Sequence, residues 1–388
     1  MSRPSARASP RSSHSSSGSD RSRSGAADGA RGRSAGAAGA ALEAELAQWT
    51  WRDTLWRRTR SFVAETFFET LAGMASLLPP AAPERHGIEV QRDLVYGRDA
   101  RWHRLDLYRP VHRPGPWPVV LYAHGGAFHL LSKDTHWLMG LVFARFGYLV
   151  VNISYRLAPR HPYPAPLEDT CTAYRWLASR ITELGGDPGR VAVAGESAGG
   201  NLITALALTT CQRRDEPWAR AVYDTGLVPR AALPFCAMLE VSRPGRFAER
   251  RKLPRWVDGM IRDASTSYLH GYSLEPCAET ELADPLRMLE LAAGVGAEPA
   301  PRDGGADAIR FDRPLPAFFA PVGTRDPLLD DTRRLEKALA ALSVPCEARY
   351  YPGGIHAFHA LVWNPGARRC WRDALAFLDR HMAPPRGA

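Results

Sequence analysis

Lysine is scarce in this chain, where only Lys133, Lys252 and Lys337 stand beside a large excess of arginine. The formal net charge is +9, but residues 1–40 contain seven Arg and two Asp and so hold more than half of it. A nucleic-acid-binding domain concentrates its cations on the folded part of the chain. The charge distribution therefore excludes nucleic acid as a partner.

The chain also lacks paired cysteines and long apolar runs. No two cysteines have C-x-x-C spacing, and the histidines show no ligand spacing, so neither a metal nor another cofactor is predicted. No apolar run reaches the length of a membrane span, and no hydrophobic segment follows the basic start as in a secretory signal. Widely spaced thiols are typical of a reducing compartment, so the predicted location is cytoplasmic. The cysteines are Cys171, Cys211, Cys236, Cys277, Cys346 and Cys370.

The composition changes twice before the main domain begins. Residues 1–40 are rich in Ser, Arg, Gly and Ala, which predicts a disordered tail; a transit peptide is the weaker alternative. Residues 41–78 repeat apolar side chains at helical spacing and end at Pro79, which predicts an amphipathic helical segment over 41–84. Its Trp and Arg residues would also suit a membrane surface. Packing on the main domain as part of a cap is the favoured interpretation.

Residues 85–388 alternate apolar strands with helical segments. This alternation predicts an α/β fold whose central sheet is mostly parallel and covered by helices on both faces, with a hairpin at one edge. The stretch between the strands at 231–238 and 317–322 is too long for a simple crossover. It predicts a helical cap inserted at about 243–282 and a surface loop over 292–313.

The central motif is Gly195-Glu196-Ser197-Ala198-Gly199, a G-x-S-x-G sequence. An apolar strand precedes it, and a helical segment follows from Gly200. In this context the motif holds a serine on a strained turn, with its hydroxyl exposed at the end of the sheet. We therefore predict that Ser197 is a nucleophile.

A serine hydroxyl needs a base, and the base needs an acid that orients it. Asp326 follows the strand at 317–322 and is the predicted acid. Its rivals Asp330 and Asp331 begin the next helix and are interpreted as helix caps. His356 follows a glycine turn after the last strand and is the predicted base, with His359 as the alternative.

The sequence His124-Gly125-Gly126-Ala127 follows another buried strand. Small residues leave backbone N–H groups open to a ligand, so Gly125, Gly126, Ala127 and Ala198 are the predicted oxyanion hole. His124 is interpreted as structural. Four further residues are assigned to the substrate pocket from their placement alone: Phe128, Trp256, Met260 and Tyr268.

These motifs together resemble the hormone-sensitive-lipase-like family of α/β-hydrolases, which includes bacterial esterases and arylacetamide deacetylases. The resemblance covers about residues 85–383 and includes the segments 155–159 and 163–169. It implies hydrolysis of small-molecule carboxylic esters with short to medium acyl chains and without a cofactor. Two positions depart from the pattern, since Ala127 replaces a third glycine and Arg160 replaces a common Glu.

Three alternatives stay open at this point. The same triad would serve an amide or formamide hydrolase, because nucleophile and oxyanion hole suit both bonds. A non-catalytic ligand-binding protein on this fold is a second alternative, which the presence of Ser, Asp and His disfavours. A third gives the N-terminal tail and helical segment the main role, docking a partner or a membrane. Homo-oligomers are possible.

Overall fold

The computed structural model describes residues 66, 69, 70, 72–250, 252–296 and 309–383. The predicted tail over 1–40 and most of the predicted segment over 41–78 lie outside these residues. Residues 72–76 are helical, and two short 3-10 turns, Pro79–Ala81 and Pro83–His86, follow. No helix in the described part of the chain is long and apolar enough to cross a membrane.

One eight-stranded sheet forms the centre, with the order β1-β2-β4-β3-β5-β6-β7-β8. Strands β3 to β8 are mutually parallel. The hairpin of β1 and β2 is antiparallel, and β2 joins β4 in the antiparallel direction. The predicted fold class is confirmed, with the hairpin at the sheet edge. The strands are β1 (Glu89–Val95), β2 (Arg104–Arg109), β3 (Trp117–Ala123), β4 (Leu149–Ile153), β5 (Gly186–Glu196), β6 (Ala231–Phe235), β7 (Ala317–Gly323) and β8 (Cys346–Tyr351).

Helices cover both faces of this sheet. The helices that follow β3 along the chain are α1 (Trp137–Arg145), α2 (Ala165–Arg180), α3 (Ala198–Cys211), α4 (Pro217–Tyr223), α5 (Arg246–Arg250), α6 (Arg255–Tyr268), α7 (Pro285–Ala293), α8 (Leu329–Ala341) and α9 (Pro365–His381). Side chains of α2, α3 and α8 pack in one apolar cluster, and those of α1 and α9 pack in the other.

The strands divide their side chains between the two clusters because successive residues of a strand point to opposite faces. In β3, Val119 and Leu121 join the cluster of α2 and α3, whereas Val120 and Tyr122 join the cluster of α1 and α9. All four are fully buried. The continuous apolar sequence that predicts a buried strand is thus explained by two covered faces.

The long connection between β6 and β7 contains α5, α6, a 3-10 helix (Ala278–Ala283) and α7. The helix α7 was not predicted, and it overlaps the start of the predicted loop over 292–313. Helix α6 is amphipathic, with Ile261, Ala264 and Tyr268 buried and Trp256 exposed. The insertion therefore places one buried helical face against the main domain, and its limits as a separate cap stay a prediction.

Candidate active site

Ser197 lies at the turn where β5 ends and α3 begins. Its backbone has φ 52° and ψ −116°, a strained conformation for a residue other than glycine. Its N–H donates to the carbonyl oxygen of Phe235 at 2.9 Å, and its carbonyl oxygen accepts from the N–H of Met238 at 3.2 Å. Backbone groups at the end of β6 thus hold the strained turn on both sides.

The glycines of the turn are needed for close packing. A Cβ on Gly199 would lie 2.1 Å from the carbonyl oxygen of Ala123, and one on Gly195 would lie 2.6 Å from that of Gly199. The helix begins at Ala198, two residues earlier than predicted. The nucleophile position is therefore directly at the helix N-terminus, where N–H groups lack partners within the helix.

Asp326 and His356 come together at the carboxyl ends of β7 and β8. The His356 Nδ1–H donates to Asp326, with Nδ1 3.0 Å from Oδ2 and 3.2 Å from Oδ1. Asp326 is fully buried and also accepts from the N–H of Leu328 at 2.8 Å. The His356 side chain is 37% exposed and lines the same cavity as Ser197. The structure thus unites the three predicted residues at one edge of the sheet.

The electrostatics of the pair favour a basic imidazole. Burial acts to lower the pKa of His356, but the Asp326 carboxylate beside it raises that pKa well above its ordinary value. Cys236, which lies next to the pair, acts in the same direction. An opposite charge at hydrogen-bond distance favours the protonated ring in this way. The arrangement suits a residue that must take up a proton.

The alternative base, His359, and the alternative acids, Asp330 and Asp331, have other partners. His359 is buried, and its Nε2 lies 2.9 Å from an Oε2 of Glu196. The prediction that Asp331 caps α8 is wrong. Asp331 is fully buried and pairs with Arg246 at 2.7 Å. It also accepts from the N–H of Leu239. Asp330 pairs with Arg333 at 3.3 Å.

The loop after β3 leaves N–H groups without a protein partner. The described residues provide no acceptor for the N–H of Gly126 or of Ala127, and Ala198 opens its helix. Ala127 has φ 52°, and it lines the cavity together with Ser197 and Ala198. Gly125 packs closely against Glu196, because a Cβ on this glycine would lie 2.9 Å from the Cγ of Glu196.

Gly126 provides a sharp test of this loop. Its φ is 117°, and a Cβ there would lie 2.1 Å from the carbonyl oxygen of Leu130. We expect Gly126→Ala to displace the loop and to lower kcat by about 10²–10³-fold, the usual effect of losing one oxyanion donor. Gly226→Ala is the control, since Gly226 has φ 70° and open space around it. That control should lose only about 1–2 kcal/mol of stability, and equal activity of both variants would contradict the role of the loop.

Sequence reasoning missed a buried network behind the nucleophile. Glu196 accepts from Tyr122 Oη at 2.9 Å and pairs with His359 and His136. Burial alone would raise the pKa of Glu196, but the two histidines hold it well below its usual range. The network ties the nucleophile turn to the loop that carries His356. Glu196 occupies an x position of G-x-S-x-G, where any residue satisfies the motif, so the motif does not predict this network.

His124 is structural, in agreement with its interpretation from the sequence. Its Nδ1 lies 2.6 Å from the carbonyl oxygen of Gly125, and its ring stacks on Tyr155 with centroids 4.2 Å apart. Burial, with His136 nearby, lowers the pKa of His124 to about 3. The ring is therefore neutral and holds the loop in place.

The candidate site opens into a cavity of about 570 Å³. Trp256 and Met260 line it, as predicted, and both are at least half exposed. Phe128 and Tyr268 do not line it, which corrects their assignment. Their rings are fully buried and stack on each other with centroids 3.8 Å apart. The stacked rings join the oxyanion loop to α6. The two residues therefore lie near the candidate site, as predicted, but they do not form a wall of the substrate pocket.

Comparison with known proteins agrees with this architecture. A family model described as alpha/beta hydrolase fold matches residues 120–360. The chain is similar to "Carboxylesterase NlhH" of Mycobacterium tuberculosis, with 34% identity over 270 residues that cover 68% of this chain and 74% of the relative. It is also similar to "Versiconal hemiacetal acetate esterase" of Dothistroma septosporum, with 30% identity over 82% of this chain and 88% of the relative.

Among solved structures, esterase LipW from Mycobacterium marinum has a TM-score of 0.64 and 25% identity. The superposition covers 87% of this chain and 92% of that one. A structure titled "Bacterial Heroin Esterase" has a TM-score of 0.63 and 25% identity, over 84% of this chain and 92% of that one.

Proposed function

The chain belongs to the alpha/beta hydrolase family whose model it matches, and from this premise we propose that it is a carboxylic ester hydrolase acting through Ser197, His356 and Asp326. The observation that carries the proposal is the hydrogen bond from His356 to the buried Asp326, with His356 lining the same cavity as the strained Ser197. Relatives named as esterases support the same reaction.

The reaction proceeds in two steps. In the first, Ser197 Oγ attacks the ester carbonyl while His356 Nε2 accepts the hydroxyl proton and then gives it to the leaving alcohol. In the second, His356 removes a proton from water, which attacks the acyl-enzyme. His356 then returns that proton to Ser197 Oγ as the bond from Oγ to the acyl carbon breaks and the acid is released. Asp326 keeps the ring proton on Nδ1, so that Nε2 is free to act as the base.

The negative oxygen of each tetrahedral intermediate needs preorganised donors. The N–H groups of Gly126, Ala127 and Ala198 fit this role. Among the described residues, no acceptor pairs with the N–H of Gly126 or Ala127, and Ala127 and Ala198 line the cavity together with Ser197. Such donors act at the start of a helix, where the backbone dipoles also favour negative charge. Gly125 supports the loop by allowing its close contact with Glu196. The proposed hole thus keeps the predicted set of Gly125, Gly126, Ala127 and Ala198, in which Gly125 also packs against Glu196.

The cavity indicates an apolar substrate of modest size. Its volume lies within the range of small-molecule sites. Apolar side chains form most of its walls. They come from the end of β6, from α6 and the segment before it, and from the loops that carry Asp326 and His356, and they include Met238, Leu253, Val257, Ile261, Leu328 and Ile355. A short to medium acyl chain or an apolar alcohol would bury itself against these walls. Residues 243–282 act as a cap that determines the size of the accepted group.

The test is hydrolysis of p-nitrophenyl esters from acetate to palmitate, together with p-nitroacetanilide as an amide of matched size. We expect the highest kcat/KM at short to medium chains and much slower cleavage of the anilide. Faster cleavage of the anilide would favour the amidase alternative. A folded protein without turnover of any ester would overturn the proposal and favour a ligand-binding role.

A further inference from the structure

Cys236 is a nucleophilic side chain next to the candidate site, and ester hydrolysis makes no use of it. It is the residue after β6, the strand that lies between β5 and β7 in the sheet. Since the carboxyl ends of parallel strands meet at one edge, Cys236 lies between the turn of Ser197 and the loop of Asp326. It is 99% buried, its backbone has φ 37°, and its N–H donates to the carbonyl oxygen of Pro321 at 2.9 Å.

The thiol of Cys236 meets two other metal-binding groups there. Its Sγ, a carboxylate oxygen of Asp326 and a ring nitrogen of His356 all lie within 4.8 Å of one another. In tetrahedral sites Zn²⁺ binds sulfur at about 2.3 Å and nitrogen or oxygen at about 2.0–2.2 Å, with a water in the fourth position of an open site. The three donors are thus near the spacing that such an ion requires, and small side-chain rotations would complete it.

We propose that Cys236, Asp326 and His356 form an inhibitory site for a thiophilic divalent cation such as Zn²⁺. The donor set is specific, because one thiolate, one imidazole and one carboxylate suit Zn²⁺ rather than Mg²⁺ or Ca²⁺, which prefer oxygen ligands. The half-buried ring of His356 lines the cavity and provides the route of entry for the ion. A cavity water would take the fourth position.

Binding of the ion would stop hydrolysis through the tautomer of His356. The nitrogen facing Asp326 is Nδ1, so a cation held with the carboxylate takes the Nδ1 lone pair. The ring proton then resides on Nε2, which can no longer accept the Ser197 proton. The thiol proton is released to solvent, so each bound ion liberates one proton. No oxidant or reductant takes part.

Sequence spacing gives no sign of this cluster, because the three residues come from three separate strand ends. The sheet order, and not the sequence, brings them together. The inhibition rests on the proposed function, whereas binding of the ion does not. A test must therefore read binding and activity separately.

Cd²⁺ serves as the probe for binding, because its bond to a thiolate absorbs in the ultraviolet. We expect this absorption to saturate at one ion per chain in the wild type and in Cys346→Ser, a control at a partly exposed thiol away from the cluster. It should be missing in Cys236→Ser and in Cys236→Ala, of which either folded variant suffices. Equal absorption in a Cys236 variant, or none in the wild type, overturns the proposal.

Zn²⁺ serves as the probe for activity, with each variant compared with its own rate in the presence of EDTA. We expect inhibition of p-nitrophenyl ester hydrolysis that EDTA reverses, in the wild type and in Cys346→Ser. In Cys236→Ser the Zn²⁺ concentration that halves the rate should rise. Loss of a residue that only hydrogen-bonds to a metal ligand weakens binding by about 10–100-fold, so loss of a ligand should raise this concentration by at least as much. Cd²⁺ binding to Cys236 without inhibition would retain the site but contradict the base role of His356. Inhibition that does not depend on Cys236 would contradict the site.

Discussion

Replacing Ser197 by alanine is expected to lower kcat for a p-nitrophenyl ester by about 10⁶-fold, the effect of removing the nucleophile from a comparable triad. The substitution removes only Oγ, and a helical residue follows at Ala198. The turn is held by backbone bonds to Phe235 and Met238, which alanine retains. Activity should therefore fall without a large change in Tm.

The measurement combines steady-state kinetics with covalent labelling. A fluorophosphonate should label the wild type at the peptide containing Ser197 and fail to label Ser197→Ala. Ser273→Ala is the matched control, because Ser273 is exposed and its hydroxyl accepts from the N–H of Glu275, away from the candidate site. Near wild-type turnover in Ser197→Ala would contradict the nucleophile assignment, whatever happens to labelling.

Much of the fold follows from local sequence. Buried parallel strands read as continuous apolar runs, and the segment at Trp117–Ala123 does so because helices cover both of its faces. The nucleophile turn is similarly local. Gly195 and Gly199 are needed because the backbones of β3, β5 and α3 approach so closely that no Cβ fits. The contact between Gly195 and Gly199 lies within the motif itself, so the sequence reveals this turn, whereas the contact of Gly199 with Ala123 appears only in the fold.

The partners of Asp331 illustrate what local sequence does not reveal. An acidic residue in the first turn of a helix is usually explained by capping or by the helix dipole. Here Asp331 instead binds Arg246, from the inserted segment, and the backbone of Leu239. Both partners are remote in sequence. A capping pattern and a buried ion pair look alike until the insertion is placed.

The substrate pocket was predicted only in part for the same reason. Trp256, Met260 and Tyr268 are assigned to the pocket from their placement in the inserted segment alone, which does not tell which helical face meets the cavity. Trp256 lies on the open face, whereas Tyr268 lies on the buried face and stacks on Phe128. The rotation of α6 about its axis determines which of its aromatic side chains line the cavity and which pack against the oxyanion loop. The packing of Tyr268 against Phe128 and Tyr163 fixes that rotation.

Replacing Asp326 by asparagine is expected to lower kcat by about 10⁴-fold, because an amide stabilises the wrong tautomer of the imidazole. Asparagine has nearly the same shape, so the backbone bond from Leu328 to Oδ1 can persist. The loss should appear in kcat, since neither Asp326 nor its amide lines the cavity. Asp330→Asn is the control, because Asp330 pairs with Arg333 on the helix that follows.

The pH profile separates this role from a purely structural one. Hydrolysis requires neutral His356, so activity falls as the pH drops through the pKa of His356. Asp326 raises that pKa above its ordinary value of 6.5, which puts the acid limb of the wild type at a higher pH. Without the carboxylate the pKa falls, so the acid limb of Asp326→Asn should move to lower pH. In Asp330→Asn the limb should stay in place. A wild-type limb below pH 6.5, or an unmoved limb in Asp326→Asn, would mean that Asp326 does not control the base.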